Sequence, residues 1–182
     1  VCSDGETVEF DKLLVATGSS PFVPPVEGLD TVEKKFTFMT EADALALEKA
    51  VDKDTKVLIV GAGLIGLKCA EGLKERVKKI TVCDLADRVL SSILDADCAQ
   101  IVADKLKENG IELMLSDSAE VFDGSTAKMK SGKTVDFDVL VMAVGVRPNL
   151  KLLKDIGAEI NRGVLVNDKM ETSVKDIYAA GD

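Results

Sequence analysis

The 182-residue chain is long enough for one complete hydrophobic core together with pieces of a neighbouring domain. Charged residues make up 30% of the sequence and apolar residues 46%, a balance that is typical of folded globular proteins and argues against disorder. The formal net charge of −9, without an extended basic patch, argues against a nucleic-acid partner, because phosphate neutralisation requires clustered Lys and Arg.

Two further absences narrow the class of protein. No apolar run approaches the roughly 18 residues that span a bilayer, and no signal peptide opens the chain, so we expect a cytoplasmic protein without a membrane partner. The sequence contains no histidine, and its four cysteines show no C-x-x-C spacing. We therefore predict no metal site and no Cys–His or Ser–His–Asp nucleophile, and we interpret the cysteines as ordinary thiols.

The first predicted elements are a strand and a helix that are separated by a stiff connection. Residues 7–16 are typical of a strand with its lead-in. The Pro-rich run Pro21–Pro25 is extended and has the composition of a boundary between domains. Thr40 can cap a helix over residues 42–50, with Asp43 three residues after the cap.

A strand, a glycine-rich turn and a helix follow in direct succession. The short β-branched run Lys56–Val60 predicts a doubly buried strand of a parallel sheet. The turn Gly61–Gly66 leads into a helical pattern that extends to about Arg76. A second strand covers Lys79–Cys83, and Asp84 lies at its carboxyl end.

The second half of the chain adds one helix and then mostly strands. A helix is predicted from about Asp95 to Asn109, where Asn109-Gly110 is a stop signal. A strand is predicted over Ile111–Leu115, and an antiparallel meander follows over residues 120–135. A last buried strand covers Asp138–Ala143, and residues 164–166 form a strand-like run. The sequence thus predicts an α/β fold, with a Rossmann-like parallel sheet flanked by helices and an antiparallel β-meander.

A segment near the amino terminus is repeated near residue 140. Residues 4–21 and 131–148 align without a gap, and about half of their positions are identical. A common pattern of hairpin and buried strand is one explanation of this match. The agreement ends at an aligned glycine and proline, which favours duplication. The chain would then hold one whole nucleotide-binding unit and the tail of a second.

The turn after the first buried strand has the G-x-G-x-x-G spacing of a dinucleotide-binding loop. It follows a strand, opens a helix and precedes, by about 20 residues, an acid at the end of the next strand. Gly61 permits the tight turn, Gly63 lets the backbone approach a pyrophosphate, and Gly66 lets helix and sheet pack closely. The helix N-terminus at Leu64 and Ile65 would face the diphosphate with unpaired N–H groups and its positive dipole end.

Asp84 is the predicted acceptor for the hydroxyls of the adenosine ribose. A carboxylate at this position can accept from both hydroxyls of NADH and would repel the 2′-phosphate of NADPH. Arg88, one helical turn further on, could weaken this preference. The sequence therefore predicts NADH, in preference to NADPH, as the bound small-molecule dinucleotide.

Four short motifs occur in a fixed order along the chain: Ala16–Pro21, Gly61–Gly66, Ala143–Asn149, and Thr172-Ser173 followed by Ile177–Asp182. In this order they resemble the pyridine nucleotide–disulfide oxidoreductase superfamily, and in particular its NADH oxidase, nitrite reductase and rubredoxin reductase-like branch. The resemblance covers essentially the whole chain.

The resemblance implies that an NAD domain is inserted into an FAD domain. We expect a remnant of the FAD domain with the Pro-rich connection over residues 1–30. The NAD(P)H-binding domain is then expected over residues 31–149, and a return segment to the FAD domain over residues 150–182. This arrangement agrees with the internal repeat.

The resemblance also implies which residues contact each cofactor. Thr17 and Gly18 would belong to the FAD site, and Asp182 would hydrogen-bond the ribityl–phosphate region of the flavin. Gly145 would border the nicotinamide of NAD.

The reaction implied is hydride transfer from NADH to FAD, followed by electron delivery to a second acceptor. One alternative is a non-catalytic module that binds or senses NADH and FAD, because the same motifs position a cofactor in either case. Another is an unrelated Rossmann enzyme, against which the terminal Ala-Ala-Gly-Asp and the meander argue. The sequence indicates no catalytic residue and does not identify the second acceptor.

The sequence departs from the family in two respects. The family's amino-terminal FAD segment is missing from it, so we expect that segment as the partner of this chain and expect the isolated chain to be inactive. Lys68 stands where many members carry Glu near the nicotinamide. A solvated surface lysine is the favoured interpretation, and a nicotinamide contact is the alternative. A homodimer is compatible with the sequence.

Overall fold

The computed structural model describes all 182 residues, which form two compact units. Unit 1 comprises Val1–Ser20 and Val146–Asp182, and unit 2 comprises Pro21–Gly145. The middle of the sequence therefore forms one unit, and its two ends form the other. The cofactor domains expected above, with boundaries after residues 30 and 149, stay predictions.

The chain contains four α-helices, one short 3-10 helix (Leu29–Thr31) and twelve strands. In chain order the strands and α-helices are β1 (Leu13–Val15), β2 (Ser19–Pro21), β3 (Lys35–Phe36), α1 (Glu41–Ala50), β4 (Lys56–Val60), α2 (Leu64–Leu73), β5 (Lys79–Asp84), α3 (Ala96–Glu108), β6 (Ile111–Leu115), β7 (Ala119–Asp123), β8 (Thr126–Met129), β9 (Thr134–Asp136), β10 (Val139–Met142), β11 (Val146–Pro148), α4 (Lys151–Asp155) and β12 (Ile177–Ala179). None of the four helices combines the length and the hydropathy that a membrane span requires.

Unit 2 is built on a parallel five-stranded sheet in the order β3-β10-β4-β5-β6. The central strand β4 is buried at every position from Val57 to Val60, and the adjacent β10 is buried from Val139 to Met142. Apolar β-branched runs of this kind are stable when both faces of the sheet are covered, because no position along them suits solvent. The predicted Rossmann-like α/β fold is confirmed.

The two faces of this sheet are covered by different elements. Val57 and Ile59 point to the helical side, where they belong to a core that includes Leu47 of α1 and Ala70 of α2. The alternate residues of β4 point to the opposite side and belong to a core with Phe122, Ala127 and Met129 of the antiparallel meander β7-β8-β9. The period of two along a strand thus divides one apolar run between two cores.

The helices begin where the sequence supplies a cap. The Thr40 hydroxyl accepts from the N–H of Asp43, and the Asp43 carboxylate accepts from the N–H of Thr40, which is a complete capping box. Asp95 caps α3 in the same way by accepting from the N–H of Cys98. The predicted starts of α1 and α3 are confirmed.

Helix α2 ends at Leu73, three residues before the predicted end. The chain has to turn here, because Lys79 pairs with Lys56 across the sheet and the Lys78 N–H donates to the Thr55 carbonyl at 2.9 Å. Residues 74–78 are used for this return. The helical pattern in the sequence continues past Leu73, but the helix stops there because β5 has to pair with β4 in this register.

Unit 1 has short elements and a small core. Strand β1 pairs in parallel with β12, β2 pairs with β11, and Leu153, Ala158 and Ile177 form the buried centre. The strand expected over residues 7–16 is reduced to β1, and the expected strand at 164–166 forms only isolated bridges. Neither segment has a neighbouring strand along its full length, which an extended run requires for its hydrogen bonds.

Candidate functional site

A cavity of 720 Å³ lies in unit 2 at the carboxyl ends of β10, β4 and β5. Strand β4 has β5, the next strand in sequence, on one side and the much later β10 on the other. The connections therefore diverge at β4, which is where open α/β sheets form their ligand crevice. Six of the predicted NAD-site residues line this cavity: Gly61, Gly63, Leu64, Ile65, Asp84 and Gly145.

Two glycines of the loop are required by the protein's own packing. Gly61 has a φ of +116°, and a Cβ there would come within 2.3 Å of the Ala143 carbonyl oxygen. A Cβ at Gly66 would come within 2.0 Å of the Gly61 carbonyl oxygen. Gly66 does not line the cavity, so its contribution is to let α2 begin directly against the strand ends.

Gly63 differs from both of these glycines. Its φ is −80°, which any residue adopts, and a Cβ there would meet no protein atom within 4 Å. Neither backbone strain nor packing therefore calls for glycine at this position. Because Gly63 lines the cavity, a side chain would extend into open cavity space.

The N-terminus of α2 opens onto the same cavity. Gly63 is the N-cap residue and provides no side-chain cap, and the first turn contains no acidic residue. The first N–H groups of a helix have no intrahelical acceptor, and the dipole adds partial positive charge at this end. Leu64 and Ile65 of this turn line the cavity, so the helix presents an anion-binding end to it.

Asp84 joins the glycine loop to the end of β5. One carboxylate oxygen accepts from the Ala62 N–H at 2.6 Å, and the other accepts from the Ala86 N–H at 2.8 Å. Each carboxylate oxygen has a second lone pair. The side chain can therefore hold the loop and still accept a hydroxyl from a ligand in the cavity.

Arg88 lies outside the cavity lining, and its guanidinium contacts the protein. Nε donates to the Leu94 carbonyl at 3.3 Å, Nη2 donates to the Ser91 carbonyl at 3.5 Å, and Nη1 pairs with Asp87 at 2.9 Å. These contacts stabilise the loop that leads to α3. The structure does not bring Arg88 to the residues predicted with it.

Several lining residues were not among the predicted contact residues. Leu85 and Val144 directly follow predicted residues or strands, and Ser118 and Ala119 follow the end of β6, so their place after a parallel strand is a usable signal. Pro24 and Val26 also line the cavity, but no pattern in the sequence connects them with it. A parallel bridge from Glu27 to Val121 of β7 holds this segment in place.

Lys68 lies on the outer side of α2. Its Nζ pairs with Glu71 at 2.8 Å, and both side chains are more than half exposed. It lines a groove between α2 and α3 and not the cavity. An exposed pair of this kind contributes at most about 1 kcal/mol to stability, so the structure agrees with a surface lysine.

Three of the four thiols are poorly suited to nucleophilic chemistry. Burial raises the pKa of Cys69 and of Cys83 to about 12. A hydrogen bond with Asp95 raises the pKa of the exposed Cys98. Since the thiolate is the reactive form, these shifts work against reactivity. No group of three or more His, Cys, Asp or Glu side chains could hold a metal ion.

A second cavity, of 520 Å³, lies within unit 1 and brings together the three predicted FAD-site residues. Thr17, Gly18 and Asp182 all line it. The Asn149 side chain donates to the Thr17 carbonyl at 2.9 Å and accepts from the Ser20 hydroxyl at 2.7 Å. Asn149 thereby joins the end of the first segment of unit 1 to the start of the second.

The family described as pyridine nucleotide-disulphide oxidoreductase matches the chain over residues 1–182. An NADH oxidase of Methanocaldococcus jannaschii is 42% identical over 190 residues, which cover 100% of this chain and 42% of that protein. The chain thus spans less than half the length of this relative.

Two solved structures show the same fold with nucleotide bound. A water-forming NADH oxidase from Lactobacillus brevis, bound to NADH, is 30% identical and has a TM-score of 0.86 over 97% of this chain and 40% of that one. An engineered NADPH oxidase, a five-substitution mutant of that enzyme bound to NADPH, is 29% identical and has a TM-score of 0.88 over the same shares.

Proposed function

Because the chain belongs to the pyridine nucleotide-disulphide oxidoreductase family, we propose that it is the NADH-binding part of an FAD-dependent oxidoreductase. In the whole protein a hydride passes from NADH to the flavin, and electrons pass on to a second acceptor. The activity of the whole protein is part of the proposal, since this chain spans 42% of the NADH oxidase that it resembles.

The observation that carries this proposal is the glycine at position 63. Neither packing nor backbone strain requires a glycine there, whereas Gly61 and Gly66 are accounted for by contacts under 2.5 Å that a Cβ would make. A ligand that lies close to the loop backbone explains the glycine, because a side chain at this position would keep the ligand away. A pyrophosphate at the open N-terminus of α2 is such a ligand, because the N–H groups and the dipole both favour an anion.

The other residues of the cavity then take roles along one ligand. The N–H groups of Leu64 and Ile65 bind the diphosphate, Asp84 accepts from the adenosine ribose, and Gly145 borders the nicotinamide. Gly145 has a φ of +114° and open space beside its Cα, so it leaves room for a flat ring. A bound nicotinamide would supply the hydride, and the protein's part is to bind and orient it.

We propose a preference for NADH over NADPH. The Asp84 carboxylate would repel a 2′-phosphate, and the Arg88 guanidinium, which could offset this charge, is occupied by the carbonyls of Leu94 and Ser91. The two similar structures, which carry NADH and NADPH, support the view that a few side chains decide between the nucleotides on this fold.

We assign the cavity of unit 1 to FAD, with Thr17, Gly18 and Asp182 as contacts. This proposal keeps the domain order inferred above, with residues 1–30 and 150–182 on the FAD side and 31–149 binding NAD. The apolar side chains of Val8 and Phe10 are 58% and 56% exposed, and the remainder of the FAD domain would cover them. The isolated chain is therefore expected to bind NADH without turning it over.

The non-catalytic alternative is not favoured, because the relatives are oxidoreductases and electron-transfer subunits. NADH consumption by the full-length protein with an artificial acceptor separates the two functions. Flavin that stays oxidised in the presence of NADH would contradict the enzymatic one. A cytoplasmic location and a homodimer stay predictions.

The NADH site is tested with a pair of glycine variants. In Gly63→Ala the added methyl enters the cavity, and we expect NADH affinity to fall at least tenfold, about 1.4 kcal/mol, while stability falls by about 1 kcal/mol, as for other N-cap substitutions to alanine. Gly72→Ala is the matched control, since it lies in the same helix and also faces open space, but outside the cavity. Its affinity should not change.

Calorimetry with NADH and NADPH measures both the site and the preference. Gly63→Ala binding NADH as tightly as the unsubstituted chain would contradict the pyrophosphate position. Equal affinity of the unsubstituted chain for the two nucleotides would contradict the role of Asp84. The two assignments can therefore fail separately.

A further inference from the structure

Asp117, in the loop after β6, carries a buried carboxylate that the proposed nucleotide contacts do not use. The residue is 6% exposed. One carboxylate oxygen accepts from the N–H groups of Ser118 at 2.9 Å and Ser131 at 3.0 Å, and the other accepts from the Ser131 hydroxyl at 2.6 Å. A buried charge is tolerated only where donors satisfy it, and three donors do so here.

The backbone of this loop is held against the end of β5. The Asp117 N–H donates to the Asp84 carbonyl at 3.0 Å, and the Ser116 N–H donates to the Ala86 carbonyl at 2.8 Å. Ser116 has a φ of +54°, a left-handed conformation that costs a non-glycine residue roughly 1–2 kcal/mol. Such strain persists only where the surroundings impose it. The loop therefore owes its shape to these contacts.

The loop forms one end of the 720 Å³ cavity. Ser118 and Ala119, which follow Asp117 directly, line it. In the sheet order β10-β4-β5-β6 this loop lies on the far side of β5 from Gly63, and Gly145 lies on the opposite side of β4. Neighbouring strands are about 4.8 Å apart, so a nucleotide with its pyrophosphate at Gly63 and its ribose at Asp84 extends its adenine to this loop.

We propose that Asp117 is a positioning residue for the adenosine half of the dinucleotide. By joining the turn at Ser131, between β8 and β9, to its own loop, it holds Ser118 and Ala119 where adenine is bound. A second contact, from the Lys130 N–H to the Ser118 carbonyl at 2.9 Å, links the same two segments. This inference rests on the proposed NADH site and adds that the meander controls one half of the ligand.

The test compares two fragments of NADH as ligands, ADP-ribose and reduced nicotinamide mononucleotide, by NMR titration of the chain. In Asp117→Ala the affinity for ADP-ribose should fall at least tenfold, while that for the mononucleotide changes less than twofold. Ser131→Ala removes one of the three donors and should weaken ADP-ribose binding about threefold. Asp123→Ala, an exposed aspartate in the same meander, is the control and should change neither.

Asp117→Asn is the conservative variant. Its amide oxygen can accept from both N–H groups and its amide NH₂ can donate to the Ser131 oxygen, so binding of ADP-ribose should recover to within about threefold of the original. A residue that only stabilises the fold would not weaken one ligand selectively. If Asp117→Ala does not fold, Ser131→Ala and Asp117→Asn still test the proposal.

The outcomes separate this inference from the function on which it rests. If the unsubstituted chain binds neither NADH nor ADP-ribose, the proposed function is wrong. If it binds both, and the Asp117 and Ser131 variants bind ADP-ribose unchanged or lose both fragments equally, the positioning role alone is overturned.

Discussion

The two copies of the repeated segment, residues 4–21 and 131–148, share much of their local structure, and most of the first copy lies in unit 1 and most of the second in unit 2. Gly5 and Gly132 have φ values of +88° and +84°. The turn bond from the Gly5 N–H to the Cys2 carbonyl corresponds to that from the Gly132 N–H to the Met129 carbonyl. Further along, β1 matches β10, and β2 matches β11. The turn and the strand at the β1 and β10 positions therefore recur in both copies, whereas β9 forms only in the second copy, where β8 pairs with it.

The same two segments differ completely in burial. Phe137 is 2% exposed and packs edge-to-face on Phe122 with ring centroids 6.0 Å apart, whereas its counterpart Phe10 is 56% exposed. Val141 is fully buried, and its counterpart Leu14 is 60% exposed. The apolar pattern is thus the same in both copies. The meander and the helices α1, α2 and α3 all lie in unit 2, whereas unit 1 has only the short helix α4.

The largest expected difference between the copies is at these phenylalanines. Phe137→Ala should destabilise the chain by about 3–5 kcal/mol, because it removes a fully packed ring, and Phe10→Ala should cost less than about 0.5 kcal/mol, as at other surface sites. Urea unfolding of the two variants measures both values. A loss above about 2 kcal/mol for Phe10→Ala would show that this copy is also covered.

The turns at Gly5 and Gly132 give a smaller expected difference in the free energy of unfolding. An alanine at either glycine is strained by the positive φ, at a cost of about 1 kcal/mol. Gly132→Ala should lower the free energy of unfolding by this amount, because its hairpin is part of the core that contains Met129. Gly5→Ala should leave it unchanged and alter only hydrogen exchange at the Gly5 turn. Equal losses of unfolding free energy in the two variants would contradict the expectation that only the Gly132 turn unfolds together with the core.

The smallest expected effect is on acid stability. Burial alone raises the pKa of Asp117, but hydrogen bonds from Ser131 and Ser118, with Lys133 nearby, outweigh it and lower the pKa below its usual value. The resulting stability is present above the unfolded pKa of about 3.9 and is lost as pH falls through the folded pKa. Asp117→Asn should therefore flatten the loss of stability below about pH 4.

A carboxylate of unit 1 is the comparison for this acid effect. A hydrogen bond from Asn167 lowers the pKa of Glu171, which is also within reach of Tyr178. This carboxylate is accessible to solvent, so Glu171→Gln should change the acid limb of the stability curve less than Asp117→Asn does. A larger effect at Glu171 would reverse the comparison between the two units.

Features that depend on near neighbours in the chain could be predicted without the structure. The strand Lys56–Val60, the glycine loop after it and the acid at the end of β5 could be predicted, because each rests on a periodicity or a backbone requirement within a few residues. The capping box of Thr40 and Asp43 is equally local. These features were sufficient to predict the fold class and the position of the cavity.

Features that depend on residues far apart in the sequence are seen only in the folded chain. The tertiary structure separated Gly63 from the two glycines that packing requires, and it turned Arg88 toward the carbonyls of its own loop. It also brought Ser131 to Asp117, and it covered Phe137 while leaving Phe10 exposed. The physical reason is that burial and long-range hydrogen bonds depend on which other elements pack against a segment, and the segment's own residues do not encode that.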